Sequence, residues 1–128
     1  AIYRPLQYAT VCFTHKDSDG FLRRYSIKNS CDHVENVLKR KYAVIIRGII
    51  TMHLGRIVKE IKKQNLLDTS CINLLFNVSE INQIAKHEYD EKSLPDKEES
   101  LDGSMFTIMD AIAMYFICRK IGIKLMND

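Results

Sequence analysis

The chain has 128 residues, enough for one compact domain with a core of its own. Hydrophobic residues make up 46% and charged residues 27%, with only 5 Gly and 2 Pro. That composition excludes a wholly disordered chain, a collagen-like repeat and a low-complexity scaffold. The net charge of +3 is unevenly spread: residues 1–65 hold 13 Lys/Arg against 5 Asp/Glu, and residues 66–104 hold 3 against 9. A basic first half favours an anionic partner, either nucleic acid or an acidic membrane surface, or else serves as a solvated face.

Cysteines stand at 12, 31, 71 and 118, none at the two-residue spacing of a zinc knuckle. They predict free thiols in a reducing compartment. The opening AIYRPLQYATVCF lacks the basic-then-apolar order of a signal peptide. Tyr42–Leu54 is 13 residues long and broken by Arg47, whereas a membrane-spanning helix needs roughly 20 apolar residues.

Residues 8–14 and 21–27 predict two strands joined by the turn-forming segment 15–20. Alternation puts Ala9, Val11 and Phe13 on one face, with His15 at the strand end. Phe21, Tyr25 and Ile27 face the same way on the second strand, with Arg23 the exception. The segment DSDG within the turn lacks the later carboxylates of a calcium loop.

A helical pattern runs from about 31 to 64, capped by Asn29 or Ser30, with Val34, Leu38, Ile45, Ile49, Met52 and Ile57 at core spacing. Gly48 and Gly55 allow a break in it. Residues 66–88 predict one or two shorter helices, the second opened by Ser79 and Glu80. Residues 88–104 are acidic, contain Pro95 and Gly103, and predict a surface loop of the single domain 1–128. Residues 105–118 are too apolar for a surface helix and predict a central core helix, opened by Ser104 or Thr107 with Asp110.

The segment that draws attention is the expected strand-to-helix junction at Cys31. A thiol at a helix N-terminus is favoured as thiolate by unpaired N–H groups and the helix dipole. His15, on the adjoining strand, is the candidate base. His33, two residues on, would point about 200 degrees away around a helix. The competing reading of Cys31 is a small packing residue.

At these residues the chain resembles a known family. Asn29-Ser30-Cys31-Asp32-His33-Val34 is similar to the NC box, N-x-C-E-H-F, of the lecithin:retinol acyltransferase-like proteins, with Asp32 and Val34 in place of Glu and Phe. The resemblance is nearest to the picornaviral 2A proteins of the H-box/NC-box type. It implies an α+β fold in which a small antiparallel sheet packs on several helices as a permuted papain-like core. It further implies a viral protein of the host cytoplasm that supports RNA replication through RNA or host-protein contacts. Its acyltransferase-like site would be either vestigial or active, with Cys31 forming a thioester and His15, or a histidine upstream of residue 1, as base.

A second resemblance, carried by Arg47–Ile50, Gly55–Lys63 and the apolar 105–118 segment, is to the poxviral Bcl-like helical bundles. It implies a non-catalytic interaction module that blocks host signalling or cell death.

Arg23, Arg24, Lys39, Arg40, Lys41, Lys59, Lys62 and Lys63 are expected to line one face of the hairpin and long helix. Interleaved Phe21, Tyr25 and Tyr42 could stack on unpaired bases, giving salt-dependent RNA binding with no specificity for DNA. The same cations would suit acidic phospholipid. His53 is expected at the core or its edge, His87 exposed, and Cys12, Cys71 and Cys118 as packing thiols. Met105, Met109 and Met114 are expected to fill the core. No phosphate-cradling loop, HExxH or Ser-centred elbow occurs, so neither cofactor nor metal is expected.

Overall fold

Leu6, Ala9 and Cys12 are buried at three-residue intervals while Tyr8 and Val11 face outward, which is the spacing of a helix and not of a strand. The structure, a computed structural model, describes residues 2–14, 20–87 and 106–127. Its helices are α1 (Arg4–Thr14), α2 (Gly20–Lys41), α3 (Leu54–Lys63), α4 (Thr69–His87) and α5 (Ile108–Asn127), with a 3-10 turn at Ile49–Thr51.

The expected α+β fold is therefore corrected to an all-helical one. Among the described residues there is no strand and no sheet, so the permuted papain-like core, which needs a sheet to carry its base, is absent. The alternation that suggested strands was a coincidence of short runs. Ala9 fits both periods, but Val11, placed with it on one strand face, is exposed, and Tyr25 is far more exposed than Ile27.

α2 begins eleven residues before Cys31 and absorbs the second expected strand. Ile27, Cys31, Val34 and Leu38 form one wholly buried stripe at helical spacing. Asn29 and Ser30, which had the look of caps, turn their side chains back on the helix. Asn29 Nδ2 donates to Tyr25 O at 2.8 Å and Ser30 Oγ to Ser26 O at 3.1 Å. Ser26 Oγ crosses to α1 and donates to Ala9 O at 2.9 Å. Those bonds let a polar helix sit at the centre of the bundle, where α2 packs against α1, α3, α4 and α5.

After α2 the chain turns through residues 42–48 and reverses at Gly48, whose φ of 74° is left-handed. The break allowed at Gly48 is thus real, while Gly55 lies inside α3. His53 is exposed and caps α3, its Nδ1 accepting from Arg56 N–H at 3.3 Å. Leu54, Ile57, Val58 and Ile61 fix the inner face of α3. Asn65, at φ 54°, closes it with bonds from Asn65 N–H to Lys62 O and Leu66 N–H to Ile61 O, both 3.1 Å, the Schellman pattern.

α4 is one helix, opened by Asp68 Oδ1 accepting from Cys71 N–H at 2.8 Å, and Ser79 lies buried within it. α5 starts where expected. Thr107 N–H donates to Asp110 Oδ2 at 2.8 Å and Asp110 N–H to Thr107 Oγ1 at 3.1 Å, a reciprocal capping box. The expected acidic loop at 88–104 lies outside the described residues, as does Met105. The inner face of α5 (Ala111, Met114, Cys118, Ile121, Gly122, Leu125) packs chiefly on α2. Fully burying a large aliphatic side chain in such a core stabilises by about 1.5–3 kcal/mol.

Candidate functional site

Cys31 sits in the middle of α2, far from the positive end of its dipole, and is wholly buried. Its Sγ lies 3.8 Å from Val78 O on α4 and beside Cys118 on α5. The hydrogen bond with Cys118 pushes the Cys31 thiol well above the ordinary range. Burial and the negative charges of Asp32 and Glu35 push it the same way. This environment favours the thiol, whereas nucleophilic attack needs the thiolate. The expected junction between strand and helix head does not exist, because the NC-box-like run 29–34 is helical throughout. His15, the candidate base, lies outside the described residues.

His33 points elsewhere, as helix geometry dictates. Its Nδ1–H donates to Ile2 O at 2.8 Å, and its ring stacks on Tyr3 at 5.7 Å between centroids. Its Nε2 edge lies so close to Gly122 that a Cβ there would overlap it. Burial lowers the His33 pKa, and the Ile2 carbonyl partly opposes the shift. His33 is a structural peg between α2, α5 and the segment before α1.

The eight cations proposed for RNA do not share the hairpin-and-helix face expected of them. Arg23 and Arg24 are half-buried near the start of α2, about 24 Å along the axis from Lys39–Lys41. Lys39 pairs with Glu35 at 3.1 Å, and Lys41 Nζ donates to Leu125 O at 2.6 Å, leaving Arg40 the exposed member of the trio. Lys59, Lys62 and Lys63 are exposed on α3, with Lys62 Nζ 5.8 Å from the Phe76 ring centre. Tyr42, expected to stack on a base, is buried in the core. The side chains of Phe21 and His87 lie outside the described residues. Among the described residues no cluster of three or more His, Cys, Asp or Glu could hold a metal ion.

Two apolar surfaces escaped sequence reasoning. The first is the outer side of α5. Met109 is 67% exposed, Phe116 49% and Ile123 44%, and Ala113 is exposed between them. Successive turns of about 100 degrees per residue bring these four onto one stripe, opposite the buried Ala111, Met114, Cys118 and Leu125. Met109 is thus corrected from core to surface, while Met114 is core. The signal was present: residues 108–127 are apolar on both sides of the wheel. The second surface is the turn after α2, where Ile45, expected in the core, is exposed, as are Val44 and Ile50.

The concavities are shallow. A groove of about 380 Å³ runs between Tyr3, Val37, Arg40, Lys41, Leu125 and Met126. Tyr3 OH donates to Met126 Sδ at 3.9 Å along its wall. Cys31 lines neither this groove nor the smaller ones beside Phe106 and beside Tyr115. Among the described residues no helix is long and apolar enough to cross a membrane. No family model, curated protein or solved structure matches this chain.

Proposed function

We propose that the chain works as a helical interaction module, holding a protein partner against the outer face of α5. The observation that carries this reading is the stripe of Met109, Ala113, Phe116 and Ile123. The stripe is apolar from Met109 to Phe116 and is crossed by Lys120 before Ile123. An exposed apolar patch edged by polar groups marks a place where something docks. The spacing suits an amphipathic helix laid along α5 with its own apolar anchors at i, i+3/i+4 and i+7. Arg119, Lys120 and Lys124 are exposed on or beside the stripe, so the favoured partner helix carries acidic residues at its margins. The buried Cys31 thiol supports action by binding and not by acyl transfer. Withholding a host signalling or death-pathway protein, as the resemblance to poxviral Bcl-like bundles implies, would follow from occupancy of this face alone.

The test is selection from a displayed library of amphipathic helices. Enriched sequences should combine helical apolar spacing with flanking Asp or Glu. Phe116→Glu should weaken their binding at least about tenfold, since a buried aromatic anchor contributes more than 1.4 kcal/mol. Binders indifferent to Phe116→Glu would overturn the reading. So would a dimer abolished by that variant, which would give the face to a second copy of the chain.

A further inference from the structure

The turn between α2 and α3 is built in an unusual way. Tyr42, Ile46 and Ile49 point inward and are nearly inaccessible, while Val44 is 95%, Ile45 53% and Ile50 75% exposed. The inward residues anchor the turn. Ile46 N–H donates to Tyr42 O at 2.9 Å, and Thr51 closes on Gly48 O through both its N–H at 3.1 Å and its Oγ1 at 3.0 Å. Three aliphatic side chains are therefore held out on a braced backbone.

The charge along this stretch of the chain has one sign. Between Glu35 and Glu60 lie 24 residues with six Lys/Arg and no Asp or Glu. Of the six, Arg40, Arg47, Arg56 and Lys59 are exposed.

We propose that this turn is a membrane-docking element, in which Val44, Ile45 and Ile50 enter the boundary of an anionic phospholipid surface and the flanking cations engage its headgroups. Aliphatic tips beside Lys/Arg are the combination that interfacial anchors use: burial depends on apolar area, and attraction depends on anionic lipid. An RNA strand is a poorer occupant, because residues 43–59 contain no Phe, Tyr or Trp on which bases could stack. A second copy is also poorer, since it would bring the same exposed cations face to face. The element docks on the surface and does not span, and it is independent of the α5 face.

The chain contains no Trp, so Val44→Trp gives a unique reporter at the tip. Its emission should shift to the blue with vesicles of phosphatidylcholine containing about 30% phosphatidylserine, and not with phosphatidylcholine alone. In co-sedimentation with the same vesicles, Ile45→Ser combined with Ile50→Ser should lower partitioning at least about tenfold, because the apolar area that drives insertion is removed. Arg47→Ala combined with Arg56→Ala should also lower it at low salt, by a factor that shrinks as salt rises. Both sets lie on exposed positions, and circular dichroism is the check that the variants remain folded. Phe116→Glu should leave partitioning unchanged, so this inference and the α5 reading fail separately. Vesicle binding without a blue shift and without loss in the serine variant would mean charge adsorption only and would overturn insertion. Absence of binding, or binding to a single-stranded RNA oligomer in preference to vesicles, would overturn the proposal as well.

Discussion

α2 and α5 lie side by side and invert what their sequences advertise. α2 is the polar one, with Ser26, Asn29, Ser30 and His33 buried along it, yet it occupies the centre. α5 is apolar for most of its length, yet its outer half faces solvent. The difference teaches that central position depends on satisfied polar groups as much as on hydropathy. Each buried hydroxyl or amide named above on α2 bonds a carbonyl within reach, so its burial avoids the penalty of an unmade hydrogen bond. On α5, hydropathy exceeds what the bundle can bury, and the excess is surface.

Substitutions that separate the two helices sharpen this contrast. The largest effect is expected at the centre. Leu38→Ala on α2 should cost about 3 kcal/mol, the range for emptying a buried leucine site, measured by urea unfolding. A loss below 1 kcal/mol would mean that α2 is not packed as described.

The next effect is on pH. The His33 pKa is lowered in the folded chain, while the unfolded value is about 6.5. The unfolded state therefore binds the proton more tightly. The contribution of neutral His33 is fully present above about pH 6.5, and it is lost as pH falls from there through the lowered folded value. Melting temperature should fall more steeply between pH 7 and 5 in the native chain than in His33→Asn, whose amide can still donate towards Ile2 O. Equal slopes would remove His33 from the account.

The smallest effect is expected on the outer side. Phe116→Ala on α5 should cost no more than about 1 kcal/mol, because its ring is half exposed and meets the Tyr115 ring edge-on at 5.1 Å between centroids. A loss comparable to Leu38→Ala would break the comparison, because it would make the outer face part of the core.

What was legible in the sequence follows the same physics. The start of α5 at Thr107 and Asp110 could be read because a capping box is local chemistry. The break at Gly48 and the packing roles of Cys12, Cys71 and Cys118 were legible for similar reasons. Residues 8–14 and 21–27 were misread because runs of seven residues such as YATVCFT fit two periods, and residues 15–19 of the turn expected between them lie outside the described residues. Only the partners across the bundle, such as Ser26 with Ala9, decide between them. Cys31 was misplaced by the same error: Asn29 and Ser30 are good caps in isolation, and nothing local reveals that they bond backwards into a helix already under way. The exposed tip at Val44, Ile45 and Ile50 was hidden because its neighbours Ile46 and Ile49 are chemically identical and buried.

The distribution of the cysteines has a practical consequence. Cys12, Cys31, Cys71 and Cys118 are all buried and unbridged, and they fall one each on α1, α2, α4 and α5. A thiol reagent reaches Cys31 and Cys118, wholly buried where α2, α4 and α5 meet, only when those helices part, whereas the slightly exposed Cys12 and Cys71 report smaller openings of α1 and α4. Four labelling rates measured on the unmodified chain would therefore rank local opening across the bundle. The molecule thereby carries an internal record of which helix detaches first, without a single engineered label.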